Sequence, residues 1–388
     1  MFWEATDEER TARRREVLAR LGAAGGVAEE LLAANAPRLP AGMGAPRGPF
    51  PLEDEPHLEV WREYLGEARQ RGAIAALSGC LVQLCFPVQE GISRSEAYLA
   101  ATRRGTPAPA GGGVELEDPE GVELELYPSL GGTIPLLTAA RRGDFVTLVR
   151  ALTARNEPVP VPDSMGACLV SGLVNWDRVR RHRRAWEARQ PDAGEEAWRQ
   201  EFAALAPRKE LYQDRLILSS RGPYSGLAAS RVGLPAREWE RRSLLLRRAH
   251  EATHYLTLRV FGRLQHNVQE ELVADFTGLV EAFGEYRVEL ARAFLGIESL
   301  PQLRLEGRLA NYRGSPPLSE EAFEVQARLA SAAIDALDRI AAAAGSGLAR
   351  PHRLAALVCA LVPLSLEELA GFDHYDPWPG VTGEWLAP

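Results

Sequence analysis

The sequence predicts a helix-dominated α+β fold, on three observations. Long stretches repeat apolar residues every three to four positions, as in VWREYLGEARQRGAIAALSGCLVQLCF after His57 and SEEAFEVQARLASAAIDALDRI from Ser319; this spacing lines one face of a helix. The segment VELEDPEGVELELYP (114–128) instead alternates apolar and acidic residues, the pattern of strands with one wet face. A strand-like apolar run, Leu216 to Ser220, is closed by Gly222 and Pro223. Helices in the majority with a minority of strand make the class α+β, with a small mixed or antiparallel sheet and a C-terminal helical lobe.

Residues 1–35 read as one or two helices, and 36–56 as a Pro/Gly-rich arm. A helical pattern runs on from His57, and GISRSEAYLAATRRG (91–105) supplies a short helix capped by Ser93 or Ser95. The D-P-E-G at 118–121 reads as the turn of a hairpin within 114–128. Residues 177–191 form a basic helix whose arginines face solvent. The next helix, LPAREWERRSLLLRRAHEATHYLTLRVFG, stops near Gly262, and another runs from Val268 to Phe294 with a break at Gly284. Two helical stretches, 319–345 and 350–371, precede an aromatic, turn-rich tail. Three regions follow: 1–110, helical with the arm; 111–262, α+β; and 263–388, helical.

A net charge of −8 speaks against a nucleic-acid partner, because phosphate binding needs a positive surface. No apolar run of about 18 residues is present to span a bilayer. The N-terminus MFWEATDEERTARRREVLARLG lacks the apolar segment of a secretory signal. Cys80, Cys85, Cys168 and Cys359 have no paired spacing and read as free thiols. The expectation is a cytoplasmic protein with neither a membrane nor a nucleic-acid partner.

The chemistry concentrates in RRAHEATHYLTLRVFGRLQHNVQEELVADFTG (247–278). On a helix, His250 and His254 lie roughly 40° apart around the axis and aim two imidazoles at one point. Glu251 stands beside that point, free to take a proton from a metal-activated water. Leu244, Leu245, Leu246, Leu256 and Val260 flank the motif, so this helix is packed rather than solvated. Glu271 follows His254 by seventeen residues, room for a turn and a returning helix. Asp275, one turn further, can accept a hydrogen bond from the second nitrogen of a ligating histidine. Glu270 is an alternative ligand, but Glu270 and Asp275 splay whereas Glu271 and Asp275 stack, which favours Glu271. A di-iron site built on Glu270, Glu271, Asp275 and Glu281 would need Glu-x-x-His pairs from separate helices, and only Glu251 to His254 has that spacing.

AHEATHYLT and EELVADFTG resemble the A-H-E-x-T-H-x-x-T and N-E-x-x-S-D-x-x-G patterns of the gluzincins, the thermolysin-like clan of zinc peptidases. The resemblance implies His250, His254 and Glu271 as zinc ligands, Glu251 as general base and Asp275 as the partner of His250. It also implies an edge strand beside the helix pair that binds substrate backbone, here 215–226 with Ser219, Ser220 and Gly222. For the group that stabilises the oxyanion, His352 and His374 lead, with Tyr286 and His266 behind them. The chain departs from the pattern at Glu270, where the family has Asn, and in a shorter interval between His254 and Glu271. The expected function is a zinc-dependent intracellular hydrolase, a metallopeptidase acting on a specific peptide or a small amide metabolite. The alternatives are a metal-binding scaffold without catalysis, or a non-haem iron(II) enzyme using two histidines and one carboxylate.

Overall fold

The computed structural model describes residues 6–39, 49–109, 111–192 and 194–372. Among them it has fifteen α-helices and one mixed four-stranded sheet, the α+β class expected. None of these helices is long and apolar enough to cross a membrane. The residues divide into two compact units: Glu53–Arg221, and the residues up to Leu52 together with those from Gly222 onward. The unit boundaries therefore fall at 52/53 and 221/222, not near 110 and 262.

The unit Glu53–Arg221 holds the sheet. Its strands are β1 (Val122–Ser129), β2 (Gly132–Ala139), β3 (Ala167–Val174) and β4 (Gln213–Ser220), in the order β1-β2-β4-β3. β1 and β2 form an antiparallel hairpin, β2 and β4 run parallel, and β3 is antiparallel to β4. Trp61, Leu77, Phe145, Leu148 and the inward residues Leu137, Leu216 and Leu218 form one core against it.

Two expectations are corrected in this unit. The hairpin turn lies at Leu130 and Gly131, not at D-P-E-G. The amides of Glu117 and Asp118 donate to the Asp144 carboxylate at 2.7 and 3.0 Å, and the Asp118 side chain caps Gly121 N. Pro119 has no N–H to give, so this stretch forms a 3₁₀ turn ahead of β1 rather than a strand. Secondly, Ser219 and Ser220 sit in an interior strand. Ser219 is opposite Thr138 on one side and Ala167 on the other, and Ser220 N donates to Gly166 O. With β2 on one side and β3 on the other, this strand is not an edge open to a substrate backbone. The unbroken apolar run was itself the mark of a strand covered on both faces. His57, at the start of the helix Leu58–Arg71, is only 2 % exposed, and burial holds its ring below the usual histidine range.

The second unit is helical. Arg10 Nε meets Glu368 Oε1 at 2.6 Å and Arg14 Nε meets Glu367 Oε2 at 3.0 Å, which ties the helix Asp7–Arg20 to the helix Leu366–Ala370. Those pairs explain why the N-terminal helices join the C-terminal ones rather than the residues that follow them. The helix Ala236–Phe261 ends at Gly262, in the left-handed region at φ 74°. Asn267 then caps Val268–Phe283, its side chain accepting from Glu270 N at 2.9 Å. The two helices pack closely at Gly278, where a Cβ would lie 3.0 Å from the Leu246 carbonyl oxygen. The expected break at Gly284 is present, with Val288–Leu295 beyond it.

Candidate metal centre

The helix Ala236–Phe261 carries His250, Glu251 and His254, all buried, and Val268–Phe283 carries Glu270, Glu271 and Asp275. The one-turn spacing brings His250 Nε2 and His254 Nε2 to 3.2 Å. The Glu271 carboxylate straddles them, Oε2 lying 3.5 Å from His250 Nε2 and Oε1 lying 3.4 Å from His254 Nε2. Donors bound tetrahedrally at zinc bond lengths sit about 3.3–3.5 Å apart. The three side chains are thus already at the separations a tetrahedral divalent ion imposes. Among the described residues they form a group whose ligand atoms could converge on one ion.

Behind His250 lies a buried polar network. His250 Nδ1 is 2.9 Å from Asp275 Oδ1 and 2.9 Å from the Tyr224 hydroxyl, which donates to the same Oδ1 at 2.7 Å. The Arg308 guanidinium donates to Asp275 Oδ2 and reaches the Tyr224 hydroxyl at 3.2 Å and Glu271 Oε2 at 3.7 Å. Burial pushes the Asp275 carboxyl up, but the Arg308 charge and the His250 contact outweigh it and hold the group below its usual range. Glu271 behaves alike: burial opposes ionisation, and its contact with His254 and the charges of His250, His254 and Arg308 prevail. Burial disfavours protonation of His254, yet Glu270 and Glu271 hold its pKa well above the ordinary value. The Glu271 and Asp275 carboxylates thus stay ionised against the two imidazoles.

The Tyr312 phenol is hydrogen-bonded to Glu271, and burial followed by the Glu271 charge keeps it protonated. The short 3₁₀ helix Arg308–Tyr312 places Arg308 and Tyr312 on the Glu271 side of the centre.

The residues singled out in sequence fare unevenly. His250, His254 and Glu271 converge, and Asp275 meets His250. Glu270 does not point at the Nε2 pair; its Oε2 accepts from Gln265 N and His266 N, both at 2.8 Å. His352 is exposed in the first turn of Pro351–Leu361 and takes no part in this network. Tyr286 is buried against Phe276, with ring centroids 5.0 Å apart, and reads as a packing residue. His266 is exposed in the turn between the helices, at φ 53°. His374 lies outside the described residues. Gly222 contributes its carbonyl oxygen to Arg247 Nη1 at 2.8 Å. Tyr224, Arg308 and Tyr312 were not anticipated. Tyr224 stands in an irregular turn, and the other two come from a loop-rich stretch 33 residues and more beyond Asp275. No periodicity or motif marks them.

Residues 16–373 match the model of a family described as a family of unknown function (DUF7005). No curated protein and no solved structure matches the chain.

Proposed function

The chain belongs to the DUF7005 family, whose description assigns no activity, and from the geometry of its site we propose a zinc-dependent hydrolase of amide bonds, a metallopeptidase acting on a peptide or a small amide-bearing metabolite. One observation carries this reading: two imidazole nitrogens and a carboxylate at mutual distances of 3.2–3.5 Å, with Glu251 in the same helical turn.

His250 Nε2, His254 Nε2 and the Glu271 carboxylate would hold the ion. When bound, zinc supplies Lewis acidity toward a carbonyl and lowers the pKa of a water toward roughly 7. Glu251 takes the proton of the attacking water on its carboxylate and passes it to the nitrogen of the leaving amine. Asp275 and Tyr224 engage His250 at Nδ1, which leaves the Nε2 lone pair free for the ion. Tyr312 and Arg308 are the donors beside Glu271, placed to receive charge that develops on the carbonyl oxygen. They replace His352, Tyr286 and His266 in that role. The four cysteines, none joined in a disulfide, support a reducing, cytoplasmic setting.

The test is Glu251→Gln, assayed against peptide libraries with metal content measured on the same sample. The expected variant is folded, zinc-loaded and slower by about 10²–10⁴-fold. A zinc-loaded variant as fast as wild type would remove Glu251 from the chemistry. Iron rather than zinc in the purified protein would favour the oxygenase-type triad, and wild-type protein inert toward every peptide would favour a metal-binding scaffold.

A further inference from the structure

We propose that Glu270 is a positioning residue for the metal, a second buried carboxylate that fixes His254 through Nδ1 as Asp275 fixes His250. The inference rests on the metal-site reading above and extends it to a residue at which this chain departs from the gluzincin pattern.

Glu270 is 1 % exposed, and its two oxygens do different things. Oε2 accepts the amides of Gln265 and His266, two links of the turn that joins the metal-bearing helices. Oε1 faces His254 Nδ1 at 3.7 Å. Both atoms are buried, and neither has a hydrogen-bond partner. A histidine that gives Nε2 to a metal must carry its proton on Nδ1. A buried N–H without an acceptor is costly, and Glu270 Oε1 is the acceptor facing it. The gap exceeds a hydrogen bond by about 0.8 Å, a distance that small side-chain rotations close.

The chemical consequence follows from the charge. An Asn at this position would offer His254 a neutral acceptor. Glu270 offers a full negative charge in a buried setting, where Coulombic effects are strong. The Asp275 charge is balanced by Arg308, whereas the contacts of Glu270 are backbone amides and His254 itself. Its charge is therefore expressed at His254, making the imidazole a stronger donor and tightening the hold on the cation. The same carboxylate ties the turn, so ligand orientation and helix–helix geometry depend on one side chain.

The experiment uses the full chain with zinc added to metal-free protein, and competition against a chromophoric chelator reads the affinity. Glu270→Gln is expected to weaken zinc binding about 10–100-fold, and Glu270→Asp, which keeps the charge, to recover part of the loss. In the zinc-loaded protein with ¹⁵N-labelled histidine, the His254 Nδ1 proton should be protected and far downfield in wild type. In Glu270→Gln it should move upfield while that of His250 stays in place. A purely structural role would lower the melting temperature without moving that resonance. Unchanged affinity and an unchanged His254 signal in Glu270→Gln would overturn the inference and leave the zinc reading intact. Should Glu270→Gln not fold, a wild-type His254 with no proton on Nδ1 overturns it equally. If His254→Ala binds zinc as tightly as wild type, the metal site itself is wrong and both readings fall.

Discussion

Arg308→Met removes the guanidinium that lies against a fully buried carboxylate. Asp275 is 0 % exposed and has three partners: Arg308, the Tyr224 hydroxyl at 2.7 Å and His250 Nδ1 at 2.9 Å. Arg308 also sits 3.7 Å from Glu271 Oε2 and stacks 5.2 Å from the Tyr224 ring centroid, so methionine keeps some packing but none of the charge. Losing one member of a buried ion pair strands the other and costs about 3–5 kcal/mol. Tyr224 and His250 remain beside Asp275, which sets the expectation for metal-free protein near the lower end of that range. Urea unfolding at neutral pH in the presence of a chelator measures it. Asp275→Asn gives the second edge of a double-mutant cycle, and the double variant should lose less than the sum of the singles, with a coupling of about 1–3 kcal/mol. A loss below about 1 kcal/mol for Arg308→Met, together with no coupling, would show that Asp275 does not depend on Arg308, and the charge balance argued for this centre would be wrong.

Tyr312→Phe should fold and keep its zinc, with a stability loss of about 1 kcal/mol for the missing hydrogen bond to Glu271, while kcat falls on the order of 10²-fold, as when one oxyanion donor is lost; an unchanged kcat would remove the phenol from the chemistry. Gly278→Val should destabilise by about 1–3 kcal/mol and weaken zinc binding, because its Cβ meets the Leu246 carbonyl at 3.0 Å and the helices bearing His250 and Glu271 must part. Thermal unfolding alongside zinc titration checks both effects, and wild-type values would show that the crossing is looser than described. The pH dependence of metal-free protein has two signs. Asp275 and Glu271, held below their ordinary values of 3.8 and 4.5, contribute stability that is present above those values and lost as pH falls through the lower folded ones. His254, held above 6.5, contributes stability that is complete below that value and lost as pH rises through the folded one. Relative to His254→Gln, metal-free wild type should therefore lose melting temperature toward alkaline pH. Zinc should abolish that loss, because binding needs the unprotonated ring. A wild-type advantage that grows with pH in the absence of metal would contradict the assignment.

What the sequence by itself determined is what lies within a helical turn or two. His250 and His254 share a face because they are four apart, and Asp275 stacks on Glu271 for the same reason. The ends of both helices were readable too, since Gly262 and Gly284 take the left-handed backbone that stops a helix. The chemistry of the candidate ligand set could thus be read before any tertiary contact was known. The hairpin in 114–128 was misplaced because alternation marks strand character without saying which residues an aspartate such as Asp144 will capture. β4 was taken for an edge because its neighbours, β2 and β3, come from distant parts of the chain.

Only the tertiary structure decided that Glu271 closes on the two imidazoles, and that Tyr224, Arg308 and Tyr312 surround them from irregular segments. It also turned Glu270 away from the Nε2 pair and toward the turn amides and Nδ1. The physical reason is the range of the forces involved. Backbone geometry repeats every few residues and leaves a periodic trace in the chain, whereas the partner of a buried charge is chosen by the packing of the whole unit and leaves none.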